Sequence, residues 1–81
     1  MSGDLTDLFF RELDRGEALE LIEEYVEDEL VKNIILDVEA VPGFTVAYKN
    51  LFNGVYVFPV KLAERVLLVV SLDRTRFWVK R

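Results

Sequence analysis

The stretch Lys32-Asn33-Ile34-Ile35-Leu36-Asp37-Val38-Glu39-Ala40-Val41-Pro42-Gly43-Phe44 divides the chain in two. Before it, apolar residues recur at helical spacing and the charge is acidic. After it, they follow strand spacing and the charge is basic. Continued as a helix from Glu17, the stretch puts Asp37 on the line of Leu19 and Val26, where an apolar side chain belongs. With a period of two, Ile34, Leu36, Val38 and Ala40 line one face, and Asp37 and Glu39 the other. β-Branched residues are dense there. The sequence therefore predicts a helix ending near Asn33 and a strand over 34–41. One uninterrupted helix reaching Val41 is the alternative.

Upstream, residues 4–14 are expected to form a short helix. Asp4 is its N-cap, Leu5, Leu8, Phe9 and Leu13 are its apolar face, and Arg15-Gly16 is its stop. Residues 17–32 give the strongest helical pattern, with Leu19, Ile22, Val26 and Leu30 in one stripe. Leu21 and Tyr25, four apart, lie on another face as a local pair or a second contact surface. Downstream, Val41-Pro42-Gly43-Phe44 reads as a turn and 44–51 as a strand. Asn53-Gly54 is a hairpin signal. Strands follow over 55–62, 66–72 and 75–80. Pro59 has no N–H, so it demands a sheet edge or a bulge. The expected fold class is α+β, one domain over 1–81. Two N-terminal helices pack on one face of a four- to five-stranded antiparallel sheet.

Composition narrows the function classes. The 81 residues fit one core, and 52% of them are apolar, which excludes a disordered chain. No apolar run reaches the ~20 residues of a membrane-spanning helix, and the N-terminus lacks the pattern of a secretory signal. A cytoplasmic location without membrane contact is expected. Cys and His are both absent, which removes disulfides, thiol chemistry and the commonest general base and metal ligand. Gln is absent too, and Glu, Lys and Arg are abundant, a composition seen in thermophile proteins. No catalytic, cofactor-binding or metal-binding motif is present, so a non-enzymatic protein without cofactor is expected.

The net charge of −5 conceals a partition: residues 1–48 carry −10 and residues 49–81 carry +5. Four candidate surfaces follow. The strands over 55–62 and 66–72 are apolar on both sides, so the sheet face without helices needs a cover. A second subunit is the usual one, which points to a homodimer or another protein partner. A sheet that curls and buries both faces itself is the bland alternative. Arg74, Arg76, Trp78, Lys80 and Arg81 set cations beside an aromatic ring, a pattern that can meet phosphates and stack on a base. Here the bland alternative is a solvated face balancing the acidic helices, favoured because the chain is acidic overall. Glu20, Glu23, Glu24, Glu27 and Asp28 form a candidate acidic docking face, or simply a solvated one. Asp37 and Glu39 offer two carboxylates to a hard cation, at a spacing that is unspecific. The expected function is a small protein–protein interaction or regulatory module, with nucleic-acid binding through the basic sheet surface as the alternative.

Overall fold

A computed structural model of the chain describes residues 6–37, 52 and 54–81. One helical turn, α1 (Thr6–Phe9), leads directly into strand β1 (Phe10–Leu13). Helices α2 (Arg15–Tyr25) and α3 (Glu29–Leu36) follow, then strands β2 (Val57–Ala63), β3 (Val66–Ser71) and β4 (Phe77–Lys80). The four strands form one antiparallel sheet in the order β1-β4-β3-β2. The fold class is therefore α+β. The strand expected over 44–51, the turn at Pro42-Gly43 and the Asp4 cap lie outside the described residues.

Three expectations are corrected near the N-terminus. Residues 10–13 are a strand, not the end of a helix: they pair with β4, Leu13 opposite Phe77 and Phe10 opposite Lys80. The wheel that placed Leu8 and Phe9 inward is not used, and they are 66% and 53% exposed. Pairing supplies the β4 backbone with partners that a helix would have withheld. Gly16 does not stop a helix but sits in the first turn of α2. Asp14 begins that helix as its N-cap: its carboxylate accepts the Glu17 N–H at 2.8 Å, and Glu17 Oε1 accepts the Asp14 N–H at 3.3 Å. This is a reciprocal capping box.

The helix expected over 17–32 is two helices. Val26 takes an extended conformation, and Asp28 starts α3 by accepting the Leu30 N–H at 2.9 Å. A short carboxylate at that position competes well with the backbone for such a bond. The break turns Leu30 out of the apolar stripe, and it is 67% exposed. Residues 34–36, expected in a strand, are the last turn of α3. Asp37 is its C-cap, extended and exposed, with its N–H donating to the Asn33 carbonyl at 2.8 Å. The helical period is set by Val31 and Ile35, four apart, which both join the core. Residues 38–41 of that expected strand lie outside the described residues.

Strand alternation sends side chains to two separate clusters. Leu13, Phe58, Leu68, Val70 and Phe77 join Ala18, Ile22 and Val26 from α2 and its cap, and Ile35 from α3. Phe52, Val57, Val69 and Trp78 form the second cluster. Each of these larger apolar side chains gains about 1.5–3 kcal/mol from burial. Pro59 satisfies its constraint by position. Just before β2, the Tyr56 carbonyl accepts from the Leu72 N–H just after β3, so alternate residues of β2 bond to β3 and Pro59 falls on the non-bonded phase. Its missing N–H faces away from β3, and β2 is outermost among the described strands. The register then slips between Lys61 and Ala63. At the hairpin signal, the Val55 N–H donates to the Phe52 carbonyl at 3.0 Å, and Gly54 has φ +81°, a left-handed value that glycine adopts without strain. Asn53 itself lies outside the described residues.

The caps give a direct check. Asp14→Ala and Asp28→Ala should each lower stability by about 1 kcal/mol, the usual cost of a lost N-cap, in urea denaturation followed by circular dichroism.

Candidate functional site

The five basic-surface residues do not form one surface. Arg74 is buried, 4% exposed. It occupies the turn between β3 and β4 with φ +60°, and its side chain returns toward α3. The guanidinium donates to the Ile34 carbonyl through Nε at 3.2 Å and Nη2 at 3.0 Å, and through Nη1 to the Leu72 carbonyl. It also lies 4.6 Å from the centre of the Phe58 ring. Burial lowers the Arg74 pKa, and the charges of Asp37 and Asp73 oppose that shift. Arg74 is thus committed to the fold, not to a ligand.

The turn that holds it is built by Asp73. The Asp73 carboxylate accepts from Ser71 Oγ at 2.7 Å, from Thr75 Oγ1 at 2.6 Å and from the Thr75 N–H at 3.0 Å. The Arg74 N–H donates to the Ser71 carbonyl at 2.9 Å, which closes the turn. Those donors, led by the Thr75 hydroxyl and then Ser71, hold the Asp73 pKa below its ordinary value.

Arg76 and Trp78 do share a face, with the guanidinium 4.9 Å from the ring centre. Arg76 is engaged by a fork: Nε to Glu12 Oε2 at 3.0 Å and Nη2 to Glu12 Oε1 at 2.9 Å. Glu12 sits opposite Trp78 in the β1–β4 pair. The hydrogen bond from Arg76 holds the Glu12 carboxyl below its ordinary pKa, although burial pushes the other way. Trp78 is 2% exposed, packed edge-on against Phe52 with ring centres 4.7 Å apart. Its ring is therefore closed to stacking on a base. Lys80 and Arg81 are exposed, and the Arg81 N–H donates to the Phe9 carbonyl at 2.9 Å. On the Trp78 side of the sheet, Phe52, Val57, Val69 and Trp78 are buried, and Phe10, Val55 and Leu67 are partly buried against them.

The acidic candidates also separate. Glu23 accepts from Lys32 Nζ at 3.0 Å, and Glu29 lies 3.6 Å from the same ammonium. Asp28 caps α3, and Glu27 is exposed. Glu20 and Glu24 line an open groove of about 320 Å³ beside α2. Its floor is apolar, with Leu21, Val66 and Val79, and Arg65 and Lys80 stand across it. A smaller hollow of about 210 Å³ shares Arg65, Val66 and Lys80 and extends the groove along the end of the sheet. Arg11, also on the groove, is paired with Glu17 at 3.1 Å. Glu20, Glu24, Arg65 and Lys80 have no ion pair among the described residues.

The groove is what sequence reasoning missed. Leu21 had been separated from the main stripe, but Arg65 and Val66 are brought opposite it only by the β2–β3 hairpin, which no local pattern announces. Asp37 stands at the end of α3 and Glu39 lies outside the described residues. Among the described residues no three His, Cys, Asp or Glu side chains are grouped to hold a metal. No helix of the described residues is long and apolar enough to cross a membrane. No family model, no curated protein and no solved structure matches the chain.

The Arg74 site separates side chain from backbone. Arg74→Ala should cost about 2–4 kcal/mol, since it strips charged donors from two carbonyls. Arg74→Gly should cost about 1 kcal/mol less than Arg74→Ala, because glycine relieves the left-handed backbone. Urea midpoints of the three proteins give both differences. Acid titration tests the two lowered carboxyls. Their contribution is present at neutral pH, and it is lost as pH falls through the ordinary carboxyl range and on through their lowered folded values. Glu12→Gln and Asp73→Asn should be less stable than wild type at pH 7. Each should lose less further stability between pH 7 and pH 3.

Proposed function

We propose that the chain is a small, non-enzymatic module that works by protein–protein contact, with its helices on one face of the sheet and the groove beside α2 as the contact surface. The observation that carries this is the composition of the groove: an apolar floor of Leu21, Val66 and Val79 between charged rims. Protein interfaces combine an apolar centre with a polar rim. Tyr25, one turn beyond Leu21 on the same side of α2, is exposed.

The alternative is nucleic-acid binding through the basic C-terminal surface. It has less support. Of its five residues, Arg74 is buried against carbonyls, Arg76 is neutralised by Glu12, and the Trp78 ring is closed. Lys80 and Arg81 remain exposed, and Lys80 shares the groove with Glu20 and Glu24, whose charge repels phosphate.

Two titrations discriminate. The folded chain should bind an uncharged environment-sensitive hydrophobic dye, and Leu21→Glu or Val66→Glu should abolish the signal. Added single-stranded oligonucleotide at low salt should leave the emission of Trp78, the single tryptophan, unmoved. Oligonucleotide binding that fades as salt rises, together with no dye signal, would establish the alternative instead.

A further inference from the structure

We propose that the occupant of the α2 groove is the same groove of a second copy of this chain, forming a two-fold dimer held by its own opposed rims. This rests on the contact reading above and adds the partner.

The rims differ in sign and come from different elements. Glu20 and Glu24 stand on α2, the second one turn beyond the first. Arg65 stands at the turn between β2 and β3, and Lys80 at the end of β4. Val66, Val79 and Leu21 lie between them. A partner of one sign, whether a nucleic acid or a uniformly basic segment, would be attracted by one rim and repelled by the other. The groove therefore selects a partner that also carries acid on one side and base on the other.

The chain meets that requirement itself. A two-fold axis lying in the plane between the copies and running along the groove exchanges the rims. The acids on α2 of one copy then lie over Arg65 and Lys80 of the other, and the reverse pairing follows by symmetry. Leu21, Val66 and Val79 then face their own counterparts across the axis. All four rim charges are without an ion pair among the described residues, so the dimer need not break an existing pair to form new ones.

The test is molecular mass by sedimentation over a range of concentrations, on the full chain. Wild type should pass from monomer to dimer as concentration rises. Its dissociation constant should rise at least about tenfold between 0.05 M and 1 M salt, because rim pairs are screened. Glu20→Lys with Glu24→Lys, and separately Arg65→Glu with Lys80→Glu, should each stay monomeric where wild type is dimeric. An equimolar mixture of the two variants should recover the dimer, since one then presents only base and the other only acid.

Wild type that stays monomeric at every concentration would overturn the proposal and leave the dye result standing for a different protein partner. A wild-type dimer that both variants retain, or that salt leaves unchanged, would place self-association elsewhere on the chain and would equally overturn it. So would a mixture that remains monomeric. The salt series on wild type keeps the outcome decisive if either variant fails to fold, which circular dichroism would reveal.

Discussion

The guanidinium of Arg74 is the interaction on which the joining of helix to sheet depends. The last carbonyls of a helix lack intrahelical partners and carry the negative end of its dipole. Helix α3 has no basic residue in its own last turn. Arg74, 40 residues away, supplies the missing cation and bonds Ile34 through two nitrogens. Its remaining fork reaches Leu72, at the end of β3, and its flat face lies on Phe58 of β2. A buried cation is costly unless its donors are satisfied. Here satisfaction requires α3, the β3–β4 turn and β2 to be in place together. The backbone of Arg74 accepts a left-handed conformation as part of the same arrangement. The Asp73 network fixes the turn around it and offsets that strain.

A second consequence concerns the two faces of the sheet. Central strand β3 sends Leu68 and Val70 to the cluster shared with the helices, and Val69 to the cluster of Trp78 and Phe52. A strand apolar on both sides demands two covers. The chain provides the second in part with aromatic rings: Phe52 lies between Phe10, at 5.1 Å, and Trp78, at 4.7 Å. At the margin of that cluster, the Arg76–Glu12 fork ties the start of β4 to the outer strand β1. Charge neutralisation and aromatic packing thus meet on the Trp78 side of the sheet.

The α+β class and the location of β2, β3 and β4 were legible because their signals are local: strand-length runs rich in β-branched residues, turn residues, and a proline that permits few positions. The errors fall where a capping residue had two meanings. Asp14-Arg15-Gly16-Glu17 has the spacing of a capping box, yet Gly16 also resembles a stop, and only the pairing of residues 10–13 with β4 decides between them. Asp28 looked like one more solvated acid on a long amphipathic helix, although an aspartate is also a strong N-cap. At Ile34-Ile35-Leu36 the apolar run is too short for its period to be read. Its helical state is secured by Val31 and Ile35 in the core and by Arg74 at its end, and neither contact is local. The basic cluster failed as a site for a related reason. Sequence order places Arg74, Arg76 and Trp78 together, but the turn sends the Arg74 side chain to α3, while Arg76 and Trp78 lie on the other side of the sheet.

The charge partition takes on a different meaning once the pairs are known. An acidic first half and a basic second half can cancel within one molecule, and some of the charge does so. Arg76 meets Glu12 across the partition. Arg11 and Lys32, however, belong to the acidic half and take Glu17, Glu23 and Glu29 for themselves. Intrachain pairing therefore consumes acids locally and leaves Arg65 and Lys80, on the basic half, across a groove from Glu20 and Glu24 instead of in contact with them. Opposite charges held apart by an apolar strip attract weakly within one copy, since water fills the groove between them. In the two-fold dimer proposed above, the same charges meet across the interface between copies, where less water separates them.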